Sequence, residues 1–259
     1  VDIDRSPLEE RIAAYFNPSL SHEEIARRWP CVMERSAIYE AHEIRDYLVR
    51  RGPIQGQIVR YAYRPFDIRW LYWEPETKLL DRARNEYFPQ VFEGNVWFSA
   101  VQRNRRPVFY RPHVSACIAD HHIFESNCAL YPVLLCDMHT SQDSFLPQAA
   151  NKFNMSNRLL GRLSAIGVEP TAFFYHSLAV LHAPAYETQN QGALRQDWPR
   201  IPLPATKQAL LDSAALGRRV AALLDTEKPV EGVTCGKIDA RLRPLGVIRK
   251  KSVGPPPSA

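Results

Sequence analysis

The sequence predicts an α+β fold: a helical start, a central block of mixed or antiparallel strands, and helices again towards the end. Three observations lead there. Helix start and stop signals fill the first 50 residues. From about residue 56 the chain turns to short β-branched and aromatic stretches broken by proline and asparagine. Capped, apolar helical patterns return after residue 157. Helices grouped before and after the strands, rather than alternating with them, argue against a parallel doubly wound sheet.

The elements follow in order. Residues 7–16 open on Pro7, which suits a first helical turn, with Glu9 and Glu10 close behind it. Ser21 and Glu24 stand at capping-box spacing ahead of Ile25, Ala26 and Trp29. Residues 34–50 place Ile38, His42, Ile44 or Arg45, and Leu48 near helical spacing, and Gly52 supplies the stop. Strands are expected at 57–63, 68–73, 95–102, 108–110, 114–119 and 131–136. Helices are expected at 157–166 before Gly167, at 171–182 between Pro170 and Pro184, and at 207–224 behind a Thr206 cap. This divides the chain into a helical connector at 1–55, a main domain at 56–225, and a basic, partly flexible tail at 226–259 ending in Gly-Pro-Pro-Pro-Ser-Ala. No internal repeat is present.

Composition is that of a soluble globular chain: 259 residues, 45% hydrophobic and 24% charged, enough to bury a substantial core. No apolar stretch nears the roughly 20 residues that span a bilayer. No basic-then-apolar leader precedes the first helix. The sequence opens on Val1 rather than Met, as a fragment of a longer chain would. Five cysteines, an odd number in a chain that needs no staples, fit a reducing cytoplasm. Net charge is +5 but uneven. Residues 51–120 carry 11 basic against 7 acidic groups and residues 201–259 carry 10 against 5, while 1–50 and 121–200 are slightly acidic. Two basic zones of this kind attract polyanions.

One stretch stands out. Residues 63–73, Tyr-Arg-Pro-Phe-Asp-Ile-Arg-Trp-Leu-Tyr-Trp, hold five aromatics, two arginines and one aspartate in eleven positions. Its spacing assigns it to scaffold, with Phe66, Trp70 and Tyr72 as packing residues and Arg64 and Asp67 as a structural pair.

Three constellations could carry chemistry. Gln102, Arg103, Asn104, Arg105 and Arg106 follow an expected strand, with Ser99 and Arg111 nearby, and Arg82, Arg84 and Asn85 form a similar patch. Amide side chains can bond adenine bidentately and arginine can bond guanine so, in the major groove of DNA. A solvated loop is the bland alternative for any one of them. Asp67, Glu76 and Lys78 have the acid–acid–lysine order of a Mg2+-dependent nuclease, although Pro75 is awkward in a central strand. Cys117, His121, His122, Cys128, Cys136 and His139 offer zinc-type ligands without a paired short-spacing knuckle. We assign neither a metal site nor a catalytic residue. Asn17-Pro18-Ser19-Leu20 lacks the second proline and aromatic of an adenine methyltransferase motif. Residues 232–238 fall one residue short of a phosphate loop.

Several segments together resemble the C-terminal specificity domain of type ISP restriction-modification enzymes. They are residues 63–73 continuing through Lys-Leu-Leu-Asp-Arg-Ala-Arg at 78–84, and Ala-Leu-Tyr-Pro-Val-Leu-Leu at 129–135. Phe-Phe-Tyr-His-Ser-Leu-Ala-Val-Leu-His-Ala-Pro-Ala-Tyr at 173–186, Asp-Trp-Pro-Arg-Ile-Pro-Leu at 197–203 and Ala-Leu-Gly-Arg-Arg-Val at 215–220 complete the set. They occur in the family's order, and residues 99–111 and the tail after 226 depart from it. The resemblance implies a double-stranded DNA target-recognition domain without catalysis of its own, at 56–225, in a cytoplasmic phage-defence system. Its expected partner is an adenine-N6 methyltransferase domain of the same polypeptide. S-adenosylmethionine, Mg and ATP would serve only neighbouring domains, with no cofactor in this chain. The expected DNA-binding residues are those of the two polar and basic patches, Arg82 to Arg111. A Mg-dependent nuclease and a protein-interaction scaffold are the rival classes.

Overall fold

The computed structural model describes residues 1–103, 108–124, 128–136, 151–237 and 240. It is an α+β arrangement in which helices flank small sheets. Residues Val1–Asp225 form one compact unit and Thr226–Ala259 a second. In the second unit Gly232, at φ +77°, donates its N–H to the Cys235 carbonyl at 3.0 Å in a tight turn.

The chain starts with α1 (Arg5–Tyr15), α2 (His22–Arg28), a 3-10 turn (Pro30–Val32) and α3 (Ala41–Arg51). The Ser21–Glu24 capping box forms: the Glu24 N–H donates to Ser21 Oγ at 3.2 Å, and Ser21 N–H donates to Glu24 Oε2 at 2.7 Å. α3 is shorter than expected, because residues 36–39 are held in a turn by paired Ser36–Tyr39 backbone bonds. Gly52 ends it at φ +81°. Leu8, Tyr15, Phe16, Ile25, Met33, Ala41 and Leu48 bury their side chains together with Tyr72 of the following sheet. Arg45 is buried among them and donates to three carbonyls, those of Tyr15, Asn17 and Leu20, at 2.8–3.0 Å. Its guanidinium therefore ties α3 to the α1–α2 connection.

The conspicuous aromatic stretch is one strand of a hairpin and its turn. β1 (Ile58–Arg64) and β2 (Asp67–Tyr72) pair antiparallel, with a bulge between Ala62 and Arg64, and β5 (Ile118–Ala119) joins β1 in parallel. Two expectations for the turn are corrected here. Phe66 is 58% exposed at φ +66°, in the turn and not in the core. Asp67 pairs with Arg69 rather than Arg64, by a two-pronged contact at 2.7–3.1 Å. Residues two apart on a strand share a face, which brings Arg69 over Asp67. Arg64 instead lies 3.6 Å from Asp120 and stacks on Tyr63.

The second sheet has β3 (Trp97–Ala100) in the middle, with β4 (His113–Ser115) and β6 (Ala129–Pro132) antiparallel on either side. β7 (Leu134–Cys136) pairs with β8 (Asn151–Phe153). The expected strand at 131–136 is thus two strands separated at Val133, and that at 114–119 is likewise two. The buried Asn95 side chain manages the first break: its amide donates to Gln90 and Leu134 carbonyls, and its oxygen accepts from Leu134 N–H at 3.1 Å. Residues 108–110 form no strand. Trp97, Leu130, Ala62, Ile118 and Ile123 share one core, so the first two sheets are packed together.

The C-terminal helices are α4 (Asn157–Ala165), α5 (Pro170–His182), α6 (Pro184–Leu194) and α7 (Lys207–Leu224). Ser156 and Thr206 cap α4 and α7 through their hydroxyls. Phe174 and Leu178 of α5 bury against Val114 and Phe98 of the second sheet, which carries the sheet on a helical base. Among the described residues no helix is long and apolar enough to cross a membrane.

Two predictions arise here. At Gly217 of α7 an added Cβ would lie 1.8 Å from the Tyr175 carbonyl oxygen of α5. Gly217→Ala should therefore cost about 3 kcal/mol or more by forcing the helices apart, read as a lowered urea midpoint. His113 is 2% exposed, and burial together with His182 pushes its pKa from 6.5 to about 4. The unfolded chain takes up that proton first, so stability is complete above pH 6.5 and falls as pH drops towards 4. The loss is about 3 kcal/mol across that window. Urea unfolding at pH 7.5 and pH 4.5 should show it, and His113→Gln should remove that part of the slope.

Candidate nucleic-acid interface

The first basic patch is built by the segment after β2. Trp73 Nε1 donates to the Ala83 carbonyl at 2.7 Å, and Lys78 Nζ reaches the Asp81 carbonyl at 3.1 Å. Asn85 donates to the Pro75 carbonyl at 3.2 Å and starts a 3-10 helix, Asn85–Gln90. Arg84 sits just before it in a left-handed conformation at φ +52°. These bonds present Arg82 and Arg84 side by side to His121, from the turn after β5. Arg82 Nη1 lies 3.2 Å from His121 Nε2, and Arg84 Nη2 lies 3.4 Å from Nδ1.

The third contact of that imidazole sets its proton. His121 Nδ1 lies 3.1 Å from the Cys128 carbonyl, which can only accept. Nδ1 therefore carries the hydrogen, and Nε2 is left as the acceptor for Arg82. Burial, then Arg84, Arg82 and His122, lower the His121 pKa, against the Cys128 carbonyl. Two guanidiniums thus meet a neutral ring. Their carboxylate neighbours are looser: Asp81 at 3.8 Å from Arg82 and Glu86 at 3.7 Å from Arg84, both well exposed.

Behind this lip lies a cavity of about 270 Å³. Period-2 alternation puts Tyr61 of β1 and Leu71 of β2 on its wall, with Trp73 beyond the strand end. Tyr63, Tyr87 and Phe88 add further aromatic surface. Asp120 accepts a hydrogen bond from the Tyr61 hydroxyl and another from the His122 N–H at 2.6 Å. The sequence held no sign of this union, because His121 stands 37 and 39 residues from the two arginines it meets.

The second patch falls elsewhere. Gln102 donates to Asp197 at 3.2 Å, and Arg111 pairs with Glu187 of α6 at 2.9 Å. Arg103 is exposed, and its charge lies near enough to help lower the Asp197 pKa, whose first causes are the Trp198 N–H and Gln102. Asn104, Arg105 and Arg106 lie outside the described residues. Ser99 corrects the expectation for it: it is 0% exposed on central β3, and its hydroxyl has no surface to offer a base.

The acid–acid–lysine trio is dispersed among separate partners. Asp67 is held by Arg69, Glu76 accepts from Arg51 at 3.0 Å and from Tyr47 at 2.9 Å, and Lys78 is spent on the Asp81 carbonyl. Burial pushes the Cys117 and Cys128 thiols up to about 12. His139 lies outside the described residues. Among the described residues no group of three or more His, Cys, Asp or Glu is placed to hold a metal.

A family model described as the type ISP C-terminal specificity domain matches residues 2–237. No curated protein matches. Three solved structures are similar in fold. The cryo-EM structure of a DrdV–DNA complex matches with TM-score 0.59 and 19% identity, over 88% of this chain and 21% of that one. A nuclease-deletion mutant of the type ISP restriction-modification enzyme LlaGI, in complex with a DNA substrate mimic, matches with TM-score 0.53 and 17% identity over 87% and 20%. The ATP-dependent type ISP restriction-modification enzyme LlaBIII bound to DNA matches with TM-score 0.55 and 14% identity over 86% and 14%. The chain thus spans about a fifth or less of the length of each.

The arginine pair should be visible in the titration of its histidine. In NMR spectra His121 should titrate below the ordinary histidine range. Arg84→Gln should raise that pKa, since removing a neighbouring cation favours the protonated ring. An unmoved His121 titration in Arg84→Gln would contradict the geometry described.

Proposed function

The chain belongs to the type ISP C-terminal specificity domain family, and we propose that it reads a double-stranded DNA sequence for a restriction-modification enzyme. The match over residues 2–237 carries this reading. The DNA present in all three fold relatives supports it. The division of labour follows from the chemistry of the surface. Arg82, Arg84 and Arg103 are exposed or half-exposed cations suited to phosphate positioning. Asn85, Gln102 and Arg111 carry amide or guanidinium groups that can address base edges once they leave Pro75, Asp197 and Glu187. Asn104, Arg105 and Arg106 join the set by sequence alone.

Catalysis then belongs to other domains of a longer polypeptide: adenine-N6 methylation with S-adenosylmethionine, and ATP- and Mg-dependent translocation and cleavage. The setting for such an enzyme is the cytoplasm, where it defends against phage DNA.

The test is selection of bound duplexes from a random oligonucleotide library, followed by sequencing. A recognition domain should enrich one short motif. Arg103→Ala should weaken binding to cognate and random duplexes alike, and lower the slope of log K against log salt by about one unit if it holds a phosphate. An unenriched pool, with no duplex affinity at low salt, would leave the scaffold class as the better account.

A further inference from the structure

The cavity behind Arg82, Arg84 and His121 has a division of chemistry that a packing defect would lack. Its lip carries Arg82 and Arg84 with the exposed Asp81 carboxylate 3.8 Å from Arg82, its wall is largely aromatic with Val1 at one side, and a second carboxylate, Asp120, sits inside. Each part suits one part of a nucleotide. Among the described residues both guanidiniums lie nearer the His121 ring than a carboxylate, and only Arg82 has an acceptor in that ring, Nε2, so an incoming phosphate displaces one neutral acceptor from Arg82 and fills an open position on Arg84. The tyrosine and tryptophan surfaces can take the face of a base. Asp120 accepts from the Tyr61 hydroxyl and the His122 backbone N–H, with the Arg64 guanidinium at 3.6 Å, and its remaining lone pairs can accept from an exocyclic amino group. The volume, about 270 Å³, lies just under the ~300–1,000 Å³ of drug-sized sites, a size that suits one nucleotide.

We propose that this cavity binds a single nucleoside 5′-monophosphate unit, with the phosphate on Arg82 and Arg84 and the base among Tyr61, Tyr63 and Tyr87. The unit has two sources, a nucleotide extruded from bound DNA or a free mononucleotide. The first source rests on the DNA-reading function above; the second does not. In both, phosphate takes the place that His121 Nε2 now holds on Arg82, and nothing covalent changes.

Calorimetric titration of the full chain with AMP, adenosine and inorganic phosphate tests it. Adenine carries the amino group that Asp120 can accept from. AMP should bind at least tenfold more tightly than either fragment. An R82Q/R84Q double variant should lose at least tenfold in AMP affinity while binding adenosine as before, and its unchanged thermal midpoint would show that it is folded. A second arm compares a fully paired duplex with one carrying a single unpaired adenosine. An extruded nucleotide predicts at least tenfold tighter binding to the bulged duplex, with the preference lost in the double variant. Lip-dependent AMP binding without bulge preference assigns the site to a free mononucleotide. Absence of AMP binding together with absence of bulge preference, or indifference of both to the double variant, overturns the proposal. Failure to bind any duplex refutes the DNA reading instead, and leaves the AMP arm to judge the cavity.

Discussion

The β1–β2 hairpin is the constraint on which the rest depends, because several environments press on one short pair of strands. Ile58, Trp70 and Tyr72 face the N-terminal helices, and Ala62 and Ile68 enter the core shared with the second sheet. Leu71, of the opposite parity, lines the cavity, and so does Tyr61, which also packs against the core shared with the second sheet. A slip of one residue would turn Ile58, Trp70 and Tyr72 away from the N-terminal helices. The register is pinned at both ends. At the turn, the bulge after Ala62 and the left-handed Phe66 set the reversal, and the Arg69–Asp67 fork braces it. At the open end, Trp73 N–H bonds to the Gln57 carbonyl at 2.8 Å. Asp2 adds a backbone bridge to Trp70, whose ring also lies under Arg5 and Arg60. The N-terminal helices are thereby fastened to the sheet by backbone as well as by side chains.

Charge in this molecule divides by burial more than by sign. Arg51 grips Glu74, which is 0% exposed, at 2.6 and 2.7 Å, and also reaches Glu76. Removing that guanidinium would strand a carboxylate inside the protein, which costs several kcal/mol, roughly 3–5. Arg45, on its three carbonyls, is equally committed. Arg82 and Arg84 differ: among the described residues they stand against the His121 ring, which offers an acceptor to Arg82 alone, and their carboxylates stand off at 3.7–3.8 Å. A net charge of +5 cannot distinguish committed from available cations; the hydrogen-bond partners do.

The same distinction explains what could be read from the residues alone. The capping box at Ser21–Glu24, the Thr206 cap and the aromatic strand are local patterns, and they fold as local rules require. α6 has no separate signal in the residues, because Pro184 equally marks the stop of the helix before it. One extended residue, Ala183, lets the same proline serve as the first residue of a new helix. Ser99 and Phe66 escape such local rules for the converse reason. A polar residue on a central strand can be buried, and an aromatic residue in a left-handed turn can be exposed, and only tertiary packing decides either. The meeting of His121 with Arg82 and Arg84 joins segments almost forty residues apart, a distance over which no periodicity carries information.

A reading surface must be held in place without being spent, and the second patch shows how that is done. Arg111 and Gln102 are not loose; Glu187 and Asp197, in and just after α6, hold them at 2.9 and 3.2 Å. An exposed ion pair of this kind is worth only about 0–1 kcal/mol, since water screens it and ordering both chains costs entropy. Exchanging Glu187 for a DNA phosphate or a base edge therefore costs Arg111 little, while the pair restricts its rotamers beforehand. The Arg51–Glu74 contact, shut away from water, admits no such exchange. Scaffold and reader thus use the same two residue types, arginine and carboxylate. Solvent exposure makes one set permanent and the other exchangeable, so the contacts that would set sequence preference can change without disturbing the hairpin that supports them.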